Sequence, residues 1–153
     1  MRHPMWRGAM AQIAEAEEGR IFCGHDLDHF LQVARLAYIE NLERQLHQPK
    51  ALIYAAALLH DIGRGLQYQQ DIPHEEASCA LAAGILQDCG FGEGERAAIV
   101  DAISAHRAAD TAKRDDLAGL LYRADKGSRP CFFCGAQKQC NWPEEKKNKE
   151  IRD

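Results

Sequence analysis

Apolar residues recur at three- and four-residue spacing along most of the chain, and turn-forming clusters interrupt them. Read with a helical period, the pattern predicts segments near residues 4–18, 26–46, 49–61, 73–89, 93–106 and 115–127, bounded by Gly, Pro or Asn/Asp. No useful stretch alternates apolar and polar positions as a half-buried strand does. The predicted class is all-α. The end of the chain, PEEKKNKEIRD, carries mixed charge and is expected to stay solvated.

One segment departs from the amphipathic rule. Ala51 to Leu59 is apolar on every side, as in a central helix wrapped by its neighbours, and it runs directly into His60, Asp61 and a glycine turn. Burying that imidazole and carboxylate costs on the order of several kcal/mol unless something satisfies them. The other predicted helices supply candidates. His29 lies on the stripe His29, Val33, Leu36, and His106 on Ile99, Ile103, His106. His74 leads Ala77, Leu81 and Ile85, and Asp125 shares a face with Leu117, Leu121 and Ala124. Taken singly, each reads as a core residue held by one hydrogen-bond partner. Together, four histidines and two aspartates in one interior have too few donors and too much charge to satisfy one another, whereas a pair of divalent cations uses the whole set.

With 153 residues, 46% of them hydrophobic, the chain fits one domain around one core. The formal charge of −4, without a Lys/Arg cluster, argues against a nucleic-acid backbone or an anionic membrane as partner. The N-terminal MRHPMWRGAMAQIAEAEEG has no continuous apolar export region, and no apolar run approaches the length that spans a bilayer. A cytoplasmic location is expected, and there six cysteines read as thiols or metal ligands before disulfides.

His29 in DHFLQVA, His60-Asp61 in LLHDIGR, His74 in PHEEAS, His106 in AISAH and Asp125 in LLYRADK resemble the H…HD…H…H…D pattern of the HD-domain superfamily of metal-dependent phosphohydrolases. The resemblance covers roughly residues 24–129 and rests on order, local context and helical placement together. It implies a single-domain HD-type helical bundle over 24–129, with residues 1–23 as an N-terminal helix packing on it and 130–153 as a Cys-rich loop and polar tail. It also implies that His29, His60, Asp61 and Asp125 hold a first metal, and that Asp61 bridges to a second held by His74 and His106. Mixed nitrogen and carboxylate ligation favours iron or manganese, with cobalt, nickel and zinc as alternatives. Two such ions about 3.5–4 Å apart would share a hydroxide that attacks phosphorus.

Asp61 and the nearby cations Arg64, Lys126 and Arg129 are the candidate catalytic residues, the cations neutralising phosphate oxygens; the bland reading of each cation is a solvated surface residue. The run RADKGSR resembles the ending of the symmetrical dinucleoside-tetraphosphatase branch, which implies a phosphorylated small molecule, nucleotide-like, as substrate. Two other readings stay open. Some HD-domain proteins with the same six ligands are di-iron oxygenases, and a non-catalytic metal- or redox-sensing module is the third alternative.

PCFFCGAQKQCNW departs from the family pattern. Cys131, Cys134 and Cys140 form C-x2-C-x5-C, and Cys23, six residues before His29 as Cys131 is six after Asp125, is the candidate fourth thiolate. A four-cysteine site, zinc ahead of an iron–sulfur cluster, stands beside free thiols and disulfides as readings of this set. Cys79 and Cys89 read as small buried hydrophobes, and His25 as a helix-start residue near the pocket mouth rather than a ligand. His3 and His47 read as surface residues, while Trp6 and Trp142 read as core cover.

Overall fold

The computed structural model describes residues 1–151. It contains seven α-helices: α1 Pro4–Ala16, α2 Leu27–Glu43, α3 Lys50–Leu59, α4 Arg64–Gln70, α5 His74–Asp88, α6 Glu93–Ala105 and α7 Leu117–Gly127. Short 3-10 turns lie at Ala109–Lys113, Cys131–Phe133 and Glu144–Lys146, and there is no strand among the described residues. No described helix is long and apolar enough to cross a membrane.

Helix α3 packs against α2, α5, α6 and α7, which answers to its apolar circumference. Phe30, Ile53, Ile62, Leu86, Ile99, Ile103, Leu120 and Leu121 are almost wholly excluded from solvent and form the middle of the core. Outside that bundle, α1 lies across α4 and α5. Its Trp6 is buried, and the indole donates to the Leu58 carbonyl at 2.8 Å, so this tryptophan covers the core as its sequence context predicts. Helix starts are set by local chemistry: Asp26 accepts from His29 N at 2.8 Å ahead of α2, and Asp116 from Gly119 N at 3.1 Å ahead of α7.

Three features differ from the sequence expectation. The apolar helix stops at Leu59, so His60 and Asp61 occupy a turn instead of a helical end. That turn passes straight into α4, whose seven residues are too few to display a period. It is held by packing, since a Cβ on Gly65 would come within 2.8 Å of Gln12 Cβ in α1. The acidic and basic tail is not free: Asn148 is buried and donates to the carbonyl oxygens of Lys126, Gly127 and Arg129 at 2.7, 3.3 and 3.0 Å. The Lys126 and Gly127 carbonyls are orphans of the C-terminal end of α7, and a side-chain amide satisfies them. Cys89 is exposed, not buried, because α5 closes in a Schellman turn there: Gly90 takes φ +79°, and Phe91 N reaches back to Leu86 O at 3.1 Å.

Candidate metal centre

Each candidate ligand arrives from a different part of the bundle. His29 comes from the first turn of α2, His60 and Asp61 from the turn after α3, and His74 from the first residue of α5. His106 caps α6 and Asp125 lies in the last turn of α7. All six are buried. Their donor atoms form two groups, each within 4.8 Å of one another: His29, His60, Asp61 and Asp125 in the first, Asp61, His74 and His106 in the second. Asp61 belongs to both. Its Oδ1 stands 3.1 Å from His74 Nε2 and 3.6 Å from His106 Nε2, while Oδ2 stands 3.3 Å from His60 Nε2. Asp125 Oδ1 faces His29 Nε2 at 3.5 Å and His60 Nε2 at 3.7 Å.

The outer nitrogens of the four imidazoles are each tied down. His60 Nδ1 donates to Ala57 O at 2.7 Å and His106 Nδ1 to Ile103 O at 2.5 Å. His74 Nδ1 meets Gln67 Oε1 at 3.1 Å. His29 Nδ1 meets Ser128 Oγ at 3.2 Å, and that hydroxyl in turn donates to Asp125 O at 2.8 Å. Carbonyl oxygens only accept, so the proton of each neutral ring lies on Nδ1 and the Nε2 lone pair points inward. Orientation of a ligand through its second nitrogen is the common second layer of a metal site.

The inward faces carry a surplus of acceptors. His60 Nε2 is buried without a hydrogen-bond partner, and the His74 and His106 Nε2 atoms confront each other at 3.2 Å. Two lone pairs at that distance repel unless a cation lies where both point. Burial lowers the pKa of His29 to about 2, with Arg129 and His60 adding to the effect, and burial likewise lowers His74. Burial alone would also lower His60, but the Asp61 and Asp125 carboxylates outweigh it and raise that group to about 9. Despite their own burial both carboxyls are held well below the usual range, chiefly by His60. The interior therefore demands positive charge where Asp61, Asp125 and His60 meet. Imidazole nitrogens and ionised carboxylates buried together fit divalent metal ions, which would take the place of the proton that His60 otherwise holds.

A family model of the HD domain matches residues 26–129, which spans all six of these side chains. The chain belongs to the HD domain family. Its HD domain is similar to an uncharacterized protein of Clostridium beijerinckii, 45% identical over 135 residues that cover 88% of this chain and 84% of the relative. In fold it is similar to a predicted HD superfamily hydrolase from an uncultured Thermotogales bacterium, with TM-score 0.66 and 23% identity, covering 95% of this chain and 83% of that one.

The three cations expected at this HD centre are beside it. Arg64 Nε contacts Asp61 Oδ1 at 3.2 Å, and Lys126 Nζ contacts Asp125 Oδ2 at 2.6 Å. Arg129 donates through Nη1 to Gly24 O at 2.7 Å and through Nη2 to His29 Nε2 at 3.0 Å. They line a cavity of about 360 Å³ together with Arg20, His25 and Trp142. Trp142 thus stands at the mouth of the HD site, half-buried, not over the core as its composition-based reading has it. The loop it belongs to returns toward α7 because Asn148 caps that helix, a link invisible to periodicity.

His25 is the residue that sequence reasoning undervalued. It is 5% exposed, its Nδ1 bonds Glu17 Oε1 at 2.5 Å, and its Nε2 stands 3.6 Å from Asp61 Oδ2. It precedes Asp26, the extended N-cap of α2, so helical spacing from His29 misjudges where the ring points. The available signal was Glu17, eight residues earlier at the close of α1; Tyr68 of α4 donates to the same carboxylate at 2.7 Å. Burial would raise Glu17, yet the bonds from His25 and Tyr68 bring it down to about 2. Glu17 and His25 both lie outside the matched segment.

Proposed function

We propose that this HD domain is a metal-dependent phosphohydrolase that cleaves a phosphoester or phosphoanhydride in a nucleotide-like small molecule. The observation that carries the reading is two buried ligand groups sharing Asp61, the first of which reaches, through Asp125, a cavity walled by Arg20, Arg64, Lys126 and Arg129. His29, His60, Asp61 and Asp125 would hold one ion and Asp61, His74 and His106 the other, with iron or manganese the metals best suited to mixed nitrogen and carboxylate donors. Bound there, divalent ions supply Lewis acidity toward a phosphoryl oxygen and lower the pKa of water toward about 7.

The protein's own side chains do the rest. The Nδ1 contacts at Ala57, Gln67, Ile103 and Ser128 fix four rings so that no reorganisation is needed when substrate arrives. Arg64 and Lys126, anchored on the ligand carboxylates, present their remaining N–H groups to phosphate oxygens in the cavity. His25, held by Glu17, offers Nε2 to the same space. A second cavity of about 500 Å³ shares Arg64, Lys126 and Trp142 with the first and adds Arg107 and Lys146. An aromatic face between two cationic chambers suits a base flanked by phosphates. The description of the Thermotogales relative as a hydrolase agrees with this chemistry.

The test is a screen for phosphate or nucleoside diphosphate release over nucleotides and dinucleoside polyphosphates, run under argon with manganese on anaerobically purified protein. Turnover is expected without oxygen. His74→Ala and His106→Ala should each remove one of two bound ions and lower the rate by at least about 100-fold, since loss of an outer partner alone typically costs 10–100-fold. Variants that keep full metal and rate, or chemistry that consumes oxygen instead, would overturn the reading.

A further inference from the structure

The mechanism uses none of the six thiols, and four of them are not scattered. Cys23, Cys131, Cys134 and Cys140 are all unpaired. Cys23, Cys131 and Cys134 line one cavity of about 260 Å³, and Cys23 and Cys140 line the adjoining one, so Cys23 is common to both walls. Two distant parts of the chain are thereby brought together, and Arg129 ties them by its bond to Gly24 O. The loop from Pro130 is made of tight turns: Cys134 N bonds Cys131 O at 3.3 Å, Gln137 N bonds Cys134 O at 3.2 Å, and Cys140 N bonds Ala136 O at 3.0 Å. These turns keep three thiols on a short piece of chain.

That loop has little else to hold it. Phe132 and Phe133 are 47% and 89% exposed, and only Cys131 and Ala136 of its apolar residues are buried. A segment that buries so little apolar surface needs a staple of another kind. Burial raises the pKa of the Cys23 thiol, and the neighbouring Cys131, Cys134 and Cys140 raise it further against an opposing influence of Arg129. A cation bound among these thiols would displace their protons and offset the thiolate charges it gathers.

The order of the cysteines along the chain separates the candidate occupants. Three close cysteines and one remote one follow iron–sulfur ligation more than the paired C-x2-C knuckles of structural zinc. This reverses the preference drawn from the single C-x2-C turn.

We propose that Cys23, Cys131, Cys134 and Cys140 bind an iron–sulfur cluster that staples the segment before α2 to the segment after α7. Each thiol releases its proton to solvent as it ligates, and binding of a preformed cluster moves no electrons. Arg129 and Lys147, whose Nζ donates to Gln137 O at 3.1 Å, stand near the thiolates to offset their charge. The cluster would hold Cys23 two residues from His25 and Arg129 two residues from Cys131, and so brace one wall of the substrate cavity.

Anaerobically purified full-length protein should contain acid-labile sulfide and iron in excess of the two ions expected at the His/Asp centre, with sulfur-to-iron charge-transfer absorption. His60→Ala should deplete the His/Asp metals and leave sulfide and absorption unchanged. Cys134→Ser and Cys140→Ser should lose both signals, whereas Cys89→Ser keeps them. Absence of sulfide from the wild-type protein, zinc in its place, or full sulfide in the Cys134→Ser and Cys140→Ser variants would each overturn the proposal. Should those variants fail to fold, the wild-type analysis and His60→Ala still decide it.

Discussion

Ser128 shows how much a small side chain governs at this centre. Its hydroxyl donates to Asp125 O and accepts from His29 Nδ1, so one oxygen couples two ligands from helices α7 and α2. Ser128→Ala should weaken metal affinity by roughly 10–100-fold with the fold intact, measured by competition with a chromophoric chelator. Glu17 governs at the opposite edge. Its pKa in the folded chain is about 2 against 4.5 for a free side chain, so its stabilising effect is complete above about pH 4.5 and is lost as pH falls toward 2. Glu17→Gln should therefore lower stability at neutral pH and flatten the acid limb of the stability curve between those values, read by denaturant titration at a series of pH values. A variant whose acid limb matches that of the wild type would show that the Glu17 bonds to His25 and Tyr68 carry little energy.

At the scale of elements, the turn between α3 and α4 is the most constrained joint. Gly63 N donates to Ser78 Oγ at 2.9 Å, and a Cβ at Gly63 would fall 2.5 Å from both His74 O and Ser78 N. The turn bearing His60 and Asp61 is thus pressed against the first turn of α5, which bears His74. Gly63→Ala should cost about 3 kcal/mol, a fall in Tm of roughly 6–12 °C, and should weaken metal binding, because backbone atoms cannot yield as a flexible side chain would. Calorimetry with metal analysis checks both. Helical periodicity made α2, α3, α5, α6 and α7 legible nearly to their ends, since each buries one face or the whole circumference. It missed α4 because seven residues held between α1 and α5 leave no period of their own.

Over the whole molecule, the His/Asp centre is a set of side chains from α2, the α3–α4 turn, α5, α6 and α7 whose desolvation opposes folding unless positive charge is present. Metal that binds the folded state alone should then act as a stabiliser. At about 100 times its Kd it adds about 2.7 kcal/mol, so removal with a chelator should lower Tm by roughly 5–10 °C, and readdition of manganese should restore it. An unchanged Tm would mean that the ligand groups are satisfied without an ion. The same long-range convergence sets the rim: Trp142 and Asn148 reach the site region from the tail, and Arg20 and His25 from the segment after α1.

The order and spacing of residues along the chain were enough to determine that the fold is all-α, that α3 is central, and which six His and Asp side chains turn inward, because burial of apolar stripes is a local, periodic property. The sharing of Asp61 was implied by the family resemblance, and three matters belong to the tertiary structure alone: the distances at which Asp61 meets both ligand groups, the entry of His25 through Glu17 and Tyr68, and the return of the charged tail to cap α7. Each depends on distances between groups far apart in sequence, and those distances are fixed only when the helices pack.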